Sequence, residues 1–265
     1  MLKKLVGIAT LVFLVSACGN SNVKTQEKTQ DTSQEKVKIT ISAAASLTDV
    51  VNELKANYEK DNNVEIITNY GSSGTLQNQI AEGADVDIFF SAGDKQMDNL
   101  SEKGLIYEDS REELLKNEVV LIVSKDSNLQ ITGFENVQNE VENIAISDPE
   151  SVPVGQYSKE IFTNLGNWED IQKIMLQSQD VRQSLDWVTT GNANSGIVYR
   201  TDAYIEKDKV KVISEAPQES HKEINYPIAI IERSKDNEEV KKFYEYLISD
   251  DAKGIYENYG FGVSK

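Results

Sequence analysis

Residues 37–76 read VKITISAAASLTDVVNELKANYEKDNNVEIITNYGSSGTL, and this stretch decides the fold. Val37, Ile39 and Ile41 alternate with polar residues, which predicts a strand over Val37–Ser42. Ala43-Ala44-Ala45-Ser46-Leu47-Thr48 then turns the chain. Leu47, Val50, Val51, Leu54 and Tyr58 recur at helical spacing, so a helix begins near Ser46 to Thr48. Val64–Tyr70 reads as a second strand. Gly71-Ser72-Ser73-Gly74-Thr75-Leu76 is a second small, hydroxyl-rich turn, after which Leu76 and Ile80 open a second helix. Strand, serine-rich turn, helix is the arrangement that aims free backbone N–H groups at an anion. Two such turns in a chain with 44 acidic and 27 basic residues suggest a negatively charged ligand held by neutral dipoles, not by lysines.

The same alternation continues outward. Val86–Ser91 reads as a third strand, bounded by Ala92-Gly93-Asp94, and the pattern argues a parallel sheet covered by helices. Val119–Val123 is a continuous apolar run that fits a buried strand. Ile144–Ser147 is another, followed by Asp148-Pro149, a turn ending in Val154-Gly155, and a helix over about Tyr157–Leu165. Val181, Leu185 and Val188 mark a further helix, Gly196–Tyr199 a strand, and Val210, Val212 and Ile213 close this set. Tyr226–Ile231 is a strong late strand, and two amphipathic helices follow it. Two α/β units with a late strand free to return to the first predict two lobes. Ligands of open α/β sheets sit beyond the carboxyl ends of the strands, so two facing sheets would form a hinged cleft.

At the N-terminus, Lys3-Lys4 precede an apolar run, Leu5–Val15, too short to span a bilayer. The run ends in Val15-Ser16-Ala17-Cys18, which matches a bacterial lipobox. Residues 1–17 therefore read as a lipoprotein signal peptide, with Cys18 as the lipidated residue and 18–36 as a polar, flexible tether. The expected location is extracytoplasmic, on the outer face of the cell membrane, held by the lipid anchor. A formal charge of −17 argues against nucleic-acid partners. With one cysteine and one histidine, His221, a zinc or iron–sulfur site is not expected.

Individual residues stay open on this reading alone. Ser46 stands where it could cap a helix or meet a ligand. Ser72 and Ser73 lie between two glycines that allow close backbone approach, or a merely polar loop. Tyr199 could donate to a ligand or to a lobe interface. Val154 and Val181 could act only through backbone N–H groups; otherwise they are core. Gly-Ser-Ser-Gly is one residue short of the G-x-S-x-G nucleophile elbow, and His221 sits in a polar stretch. No catalytic residue is expected. A ferric-binding reading would rest on Tyr199 and Tyr204.

Six segments in order carry a resemblance. They are the two turns above, Ala84-Asp85-Val86-Asp87-Ile88-Phe89-Phe90-Ser91-Ala92, Asp148-Pro149-Glu150-Ser151-Val152-Pro153-Val154-Gly155, Asp180-Val181-Arg182 and Gly196-Ile197-Val198-Tyr199. Together they resemble the molybdate-binding proteins of bacterial molybdate ABC transporters over essentially everything after the tether. The resemblance implies a two-lobed periplasmic-binding-protein fold of type II, α/β, with a ligand cleft between lobes and two hinge crossings. Lobe 1 would be 37–116 plus 218–265, and lobe 2 would be 117–217. Ligand contacts would fall on Ser46 and Ser73, on the backbone N–H groups of Val154 and Val181, and on the Tyr199 hydroxyl. Gly74 stands where many relatives carry serine or alanine and Val154 where alanine is common, and the direction of Arg182 is open.

The implied function is an extracytoplasmic receptor that binds molybdate, and tungstate as well, and passes it to the membrane permease of an ABC importer. The oxyanion would be the ligand, with no cofactor, no bare metal cation, and a monomeric chain. Rivals are a receptor for sulfate or thiosulfate, a receptor for ferric iron, and a secreted serine hydrolase.

Overall fold

The computed structural model describes residues 36–264. The expected signal peptide, the lipidation at Cys18 and nearly all of the tether lie outside the described residues. In chain order the strands are β1 (Val37–Ala44), β2 (Val64–Gly71), β3 (Ile88–Phe90), β4 (Glu112–Lys116), β5 (Val119–Ser124), β6 (Ile144–Ser147), β7 (Met175–Ser178), β8 (Ser195–Tyr199), β9 (Val210–Glu215), β10 (Asn225–Ile230) and β11 (Gly262–Val263). The helices are α1 (Thr48–Asp61), α2 (Ser73–Ala81), α3 (Asp94–Ser101), α4 (Pro153–Asn164), α5 (Trp168–Ile174), α6 (Val181–Thr189), α7 (Arg200–Ile205), α8 (Glu238–Leu247) and α9 (Asp250–Asn258).

The strands form two sheets, ordered β11-β4-β10-β3-β1-β2 and β7-β6-β8-β5-β9. The chain leaves the first sheet after Lys116 and enters the second at Val119. It returns between Glu215 and Asn225. These two crossings make a two-lobed α/β fold of the type II periplasmic-binding kind. Ile41–Ala44 of β1 are buried in succession because helices cover both faces of the sheet. On one face, α1 buries Val50, Val51, Leu54 and Tyr58, and α8 buries Val240, Phe243, Tyr244 and Leu247. Tyr58 and Phe243 meet there with ring centroids 4.9 Å apart.

The expected parallel pairing holds for the first three strands, but neither sheet is parallel throughout. β1 is parallel to β2 and β3, but β10 is antiparallel to β3 and β4. In the second sheet, β6 is parallel to β7 and β8, whereas β5 is antiparallel to β8 and β9. The crossings explain this. The second lobe lies beyond the carboxyl ends of β1–β3, so a strand arriving from it must run against them.

A second correction concerns α4, which starts at Pro153 rather than near Tyr157. Proline at the first helical position has its φ already set and gives up an N–H that would be unpaired anyway. Gly155 then lets this first turn seat on the end of β6, since a Cβ there would lie 2.2 Å from the Ser147 carbonyl oxygen.

Candidate functional site

Between the lobes lies a small cavity lined by Ala44, Ala45, Ser46, Gly71, Ser72, Ser73, Ala92, Val152, Pro153, Val154, Asp180, Val181 and Tyr199. Ser46, Ser73, Val154, Val181 and Tyr199 thus share one wall-to-wall space, although they come from both lobes and five separate segments. The cavity volume is about 10 Å³, close to what a single water needs. The facing lobes therefore nearly fill the cleft.

Four helix starts converge here. Ser46 lies in a 3-10 turn, Ala45–Leu47, that leads into α1. Ser73 is the first residue of α2, Val154 the second of α4, and Val181 the first of α6. Because Pro153 has no N–H, that of Val154 is the first which α4 offers. Each start contributes unpaired N–H groups and partial positive charge. No lysine or arginine lines the space. Its one carboxylate, Asp180, accepts from the Gln183 N–H at 3.0 Å and so caps α6.

The partners of the hydroxyls decide which protons remain to be donated. Ser73 Oγ accepts from the Ala92 N–H at 3.0 Å, which leaves its single proton to donate elsewhere. Ser46 makes no N-cap bond. Its Oγ lies 3.0 Å from the Tyr226 hydroxyl. The Asn117 amide donates to that same hydroxyl at 3.1 Å and to Thr201 Oγ1 at 2.9 Å. With one lone pair of Tyr226 occupied by Asn117, the phenol proton is free to go to Ser46, which releases the serine proton for a ligand. The cap of α2 is Ser72, which accepts from the Thr75 N–H at 3.1 Å. Tyr199 donates to the Ala92 carbonyl at 3.4 Å, a long bond that is readily exchanged for a better acceptor. Burial holds the Tyr199 and Tyr226 hydroxyls well above the ordinary phenol pKa, so both remain donors.

Tyr226 is the residue that sequence reasoning missed. The signal was there: a phenol inside a buried apolar strand must find a partner for its hydroxyl. Arg182, whose direction was open, does not line the cavity. Its Nη2 donates to Asp49 Oδ2 at 2.7 Å and to the Ser46 carbonyl at 3.4 Å. Its Nε lies 2.8 Å from Asp202 Oδ1, as an ion pair whose N–H is not aimed at the oxygen. Tyr204, invoked for ferric iron, is 48% exposed on α7 and stands outside the cavity.

A larger cavity, about 670 Å³, lies beside the crossings and includes His221. Two of its cations already have partners: Lys116 pairs with Glu223, and Arg200 with Glu118 and Glu215. None of the five candidate residues lines it. Among the described residues, no group of three or more His, Cys, Asp or Glu side chains is placed to hold a metal ion.

The profile of the bacterial extracellular solute-binding protein family matches residues 39–262. A candidate ABC-transporter substrate-binding lipoprotein, YvgL of Bacillus subtilis, is 44% identical over 95% of this chain and 94% of its own. The molybdate-binding protein ModA of Escherichia coli is 37% identical over 85% of this chain and 89% of its own. Among solved structures, the substrate-binding domain of a candidate molybdenum ABC transporter from Clostridium difficile aligns with a TM-score of 0.66 at 39% identity. It covers 87% of this chain and 100% of that one.

Proposed function

The chain belongs to the bacterial extracellular solute-binding protein family, and we propose that it is the receptor of an ABC importer for molybdate. One observation carries the proposal: four helix starts and the hydroxyls of Ser46, Ser73 and Tyr199 converge on one cavity lined by no cationic side chain. At neutral pH a tetrahedral dianion offers only acceptors, and the hydroxyl and N–H groups offered here can all donate. Hydrogen bonds to a charged acceptor contribute about 1.5–3 kcal/mol each, so several together bind tightly without a formal charge. Phosphate carries a proton at neutral pH, for which the cavity offers only hydroxyl oxygens needed as donors and the Asp180 carboxylate already engaged in capping α6. Sulfate is smaller than molybdate and would span the donors less well.

The ligand groups are Ser46 and Ser73 through their hydroxyls, Val154 and Val181 through their N–H groups, and Tyr199 through its phenol. Tungstate, with the same charge and shape, is a second ligand. Cys18 carries the lipid that holds the receptor outside the cell membrane, the chain works as a monomer with the permease as its partner, and it catalyses no reaction. Thermal unfolding with molybdate, tungstate, sulfate, phosphate and ferric iron in parallel tests the reading. A ligand at a hundredfold excess over its Kd stabilises the fold by about 2.7 kcal/mol. A rise in Tm with molybdate and tungstate alone supports it. A rise with sulfate or ferric iron alone replaces it with one of the rivals.

A further inference from the structure

Arg182 crosses the cleft. It sits on α6 in the second lobe, next to Val181, and its guanidinium reaches Asp49 at the start of α1 in the first lobe. The same group touches the Ser46 carbonyl at 3.4 Å. Within its own lobe it lies against Asp202, which is fully buried. Desolvation works against the charged guanidinium, and the two carboxylates outweigh it. Asp202 stays with Arg182 whether the lobes are together or apart, because α6 and α7 belong to one lobe. Asp49 and the Ser46 carbonyl do not: those contacts exist only while the lobes meet.

We infer that Arg182 is a positioning residue that latches the lobes over the bound oxyanion, with Asp202 holding it in place and Asp49 as its catch. This rests on the receptor reading above and adds to it a residue that does not touch the ligand. The arrangement places the latch directly behind two of the ligand-facing helix starts. Closure that brings Val181 to the anion also brings Arg182 to Asp49, and the contact to the Ser46 carbonyl fixes the turn carrying the serine hydroxyl. Arg182 also offsets the negative charge of Asp49, which would otherwise repel a dianion nearby. Lysine could not replace it, because a point charge cannot serve both carboxylates and a carbonyl in a fixed fork.

The test uses calorimetric titration of the full chain with molybdate, together with small-angle scattering with and without it. Asp49→Asn is the main variant, because Asp49 is 40% exposed and its loss leaves the Asp202–Arg182 pair intact. The expected result is a 5- to 30-fold weaker Kd for Asp49→Asn, roughly the loss of one partly exposed charged hydrogen bond. Its Tm without ligand should stay at the wild-type value, and its liganded particle should be larger. Arg182→Gln should weaken binding at least as much, and the double variant no more than Arg182→Gln alone. Asp49→Asn binding as tightly as wild type, or more tightly, overturns the latch, since Arg182 would then act only as a charge near the anion. If the wild-type chain binds no molybdate, the receptor reading fails instead. The latch is then judged by scattering alone, where an Asp49→Asn particle no larger than wild type overturns it.

Discussion

Gly74 and Ser151 meet across the cleft: the Gly74 N–H donates to the Ser151 carbonyl at 3.0 Å, and a Cβ on residue 74 would lie 2.1 Å from that oxygen. The contact joins the second position of α2 in one lobe to the loop before α4 in the other. It explains why glycine stands where a larger residue would otherwise suit the helix. The backbone of the second lobe docks on the space that a side chain would fill.

Gly74→Ala therefore separates stability from binding. Alanine gains about 1 kcal/mol of helix propensity over glycine, so the free protein should be no less stable. The methyl group must push the Ser151 backbone away, so the lobes cannot meet as they do here. Titration should show molybdate binding weakened by about tenfold or more, with the Tm of the free protein unchanged or slightly raised. Binding at wild-type strength would show that the lobes need not approach this closely.

Ser73→Ala should weaken molybdate binding by about 10- to 100-fold, since one hydrogen bond to a charged acceptor is lost. It should also lower the stability of the free protein by about 1–3 kcal/mol, because the Ala92 N–H loses its acceptor in a buried place. Chemical denaturation and titration of the same preparation measure the two effects.

Tyr226→Phe tests the relay behind Ser46. The phenol does not line the cavity, yet its hydroxyl lies 3.0 Å from Ser46 Oγ and accepts from the Asn117 amide, which leaves its proton for the serine. We expect binding weakened by about 3- to 10-fold, as for one neutral hydrogen bond of about 1 kcal/mol. An unchanged Kd would show that Ser46 orients its own hydroxyl.

Asp202 predicts a pH dependence. Burial pushes its pKa up to about 6 against the pull of Arg182. This value stands above that of the unfolded chain, so the folded protein binds the extra proton between about pH 4 and pH 6. Stability from this group is therefore fully present below that window and falls as pH rises through it, by about 3 kcal/mol. Urea denaturation of wild type and Asp202→Asn across this range should show the slope in the first and its loss in the second.

Much of the site was legible because it depends on local chemistry. Serine-rich turns between apolar strands and amphipathic helices mark helix starts, and Ser46, Ser73 and Val181 lie where those signals put them. The start of α4 was misread because Val154-Gly155 looks like a turn, whereas Pro153 is itself a helix-start residue. Short elements such as β7 and α5 have too few residues to show a period. Strand direction was hidden because it depends on which lobe the chain arrives from. The Arg182–Asp49 pair spans 133 residues and leaves no pattern, so only the folded chain reveals it.

The most direct test of the central claim is a crystal structure grown with molybdate, with the metal located by its anomalous scattering. The account predicts one molybdenum in the cavity between the lobes. Its oxygens should accept from the Ser46, Ser73 and Tyr199 hydroxyls and from the Val154 and Val181 N–H groups, with Arg182 on Asp49. Molybdenum in the larger cavity beside the crossings, or coordinated by lysine or arginine side chains, would contradict it.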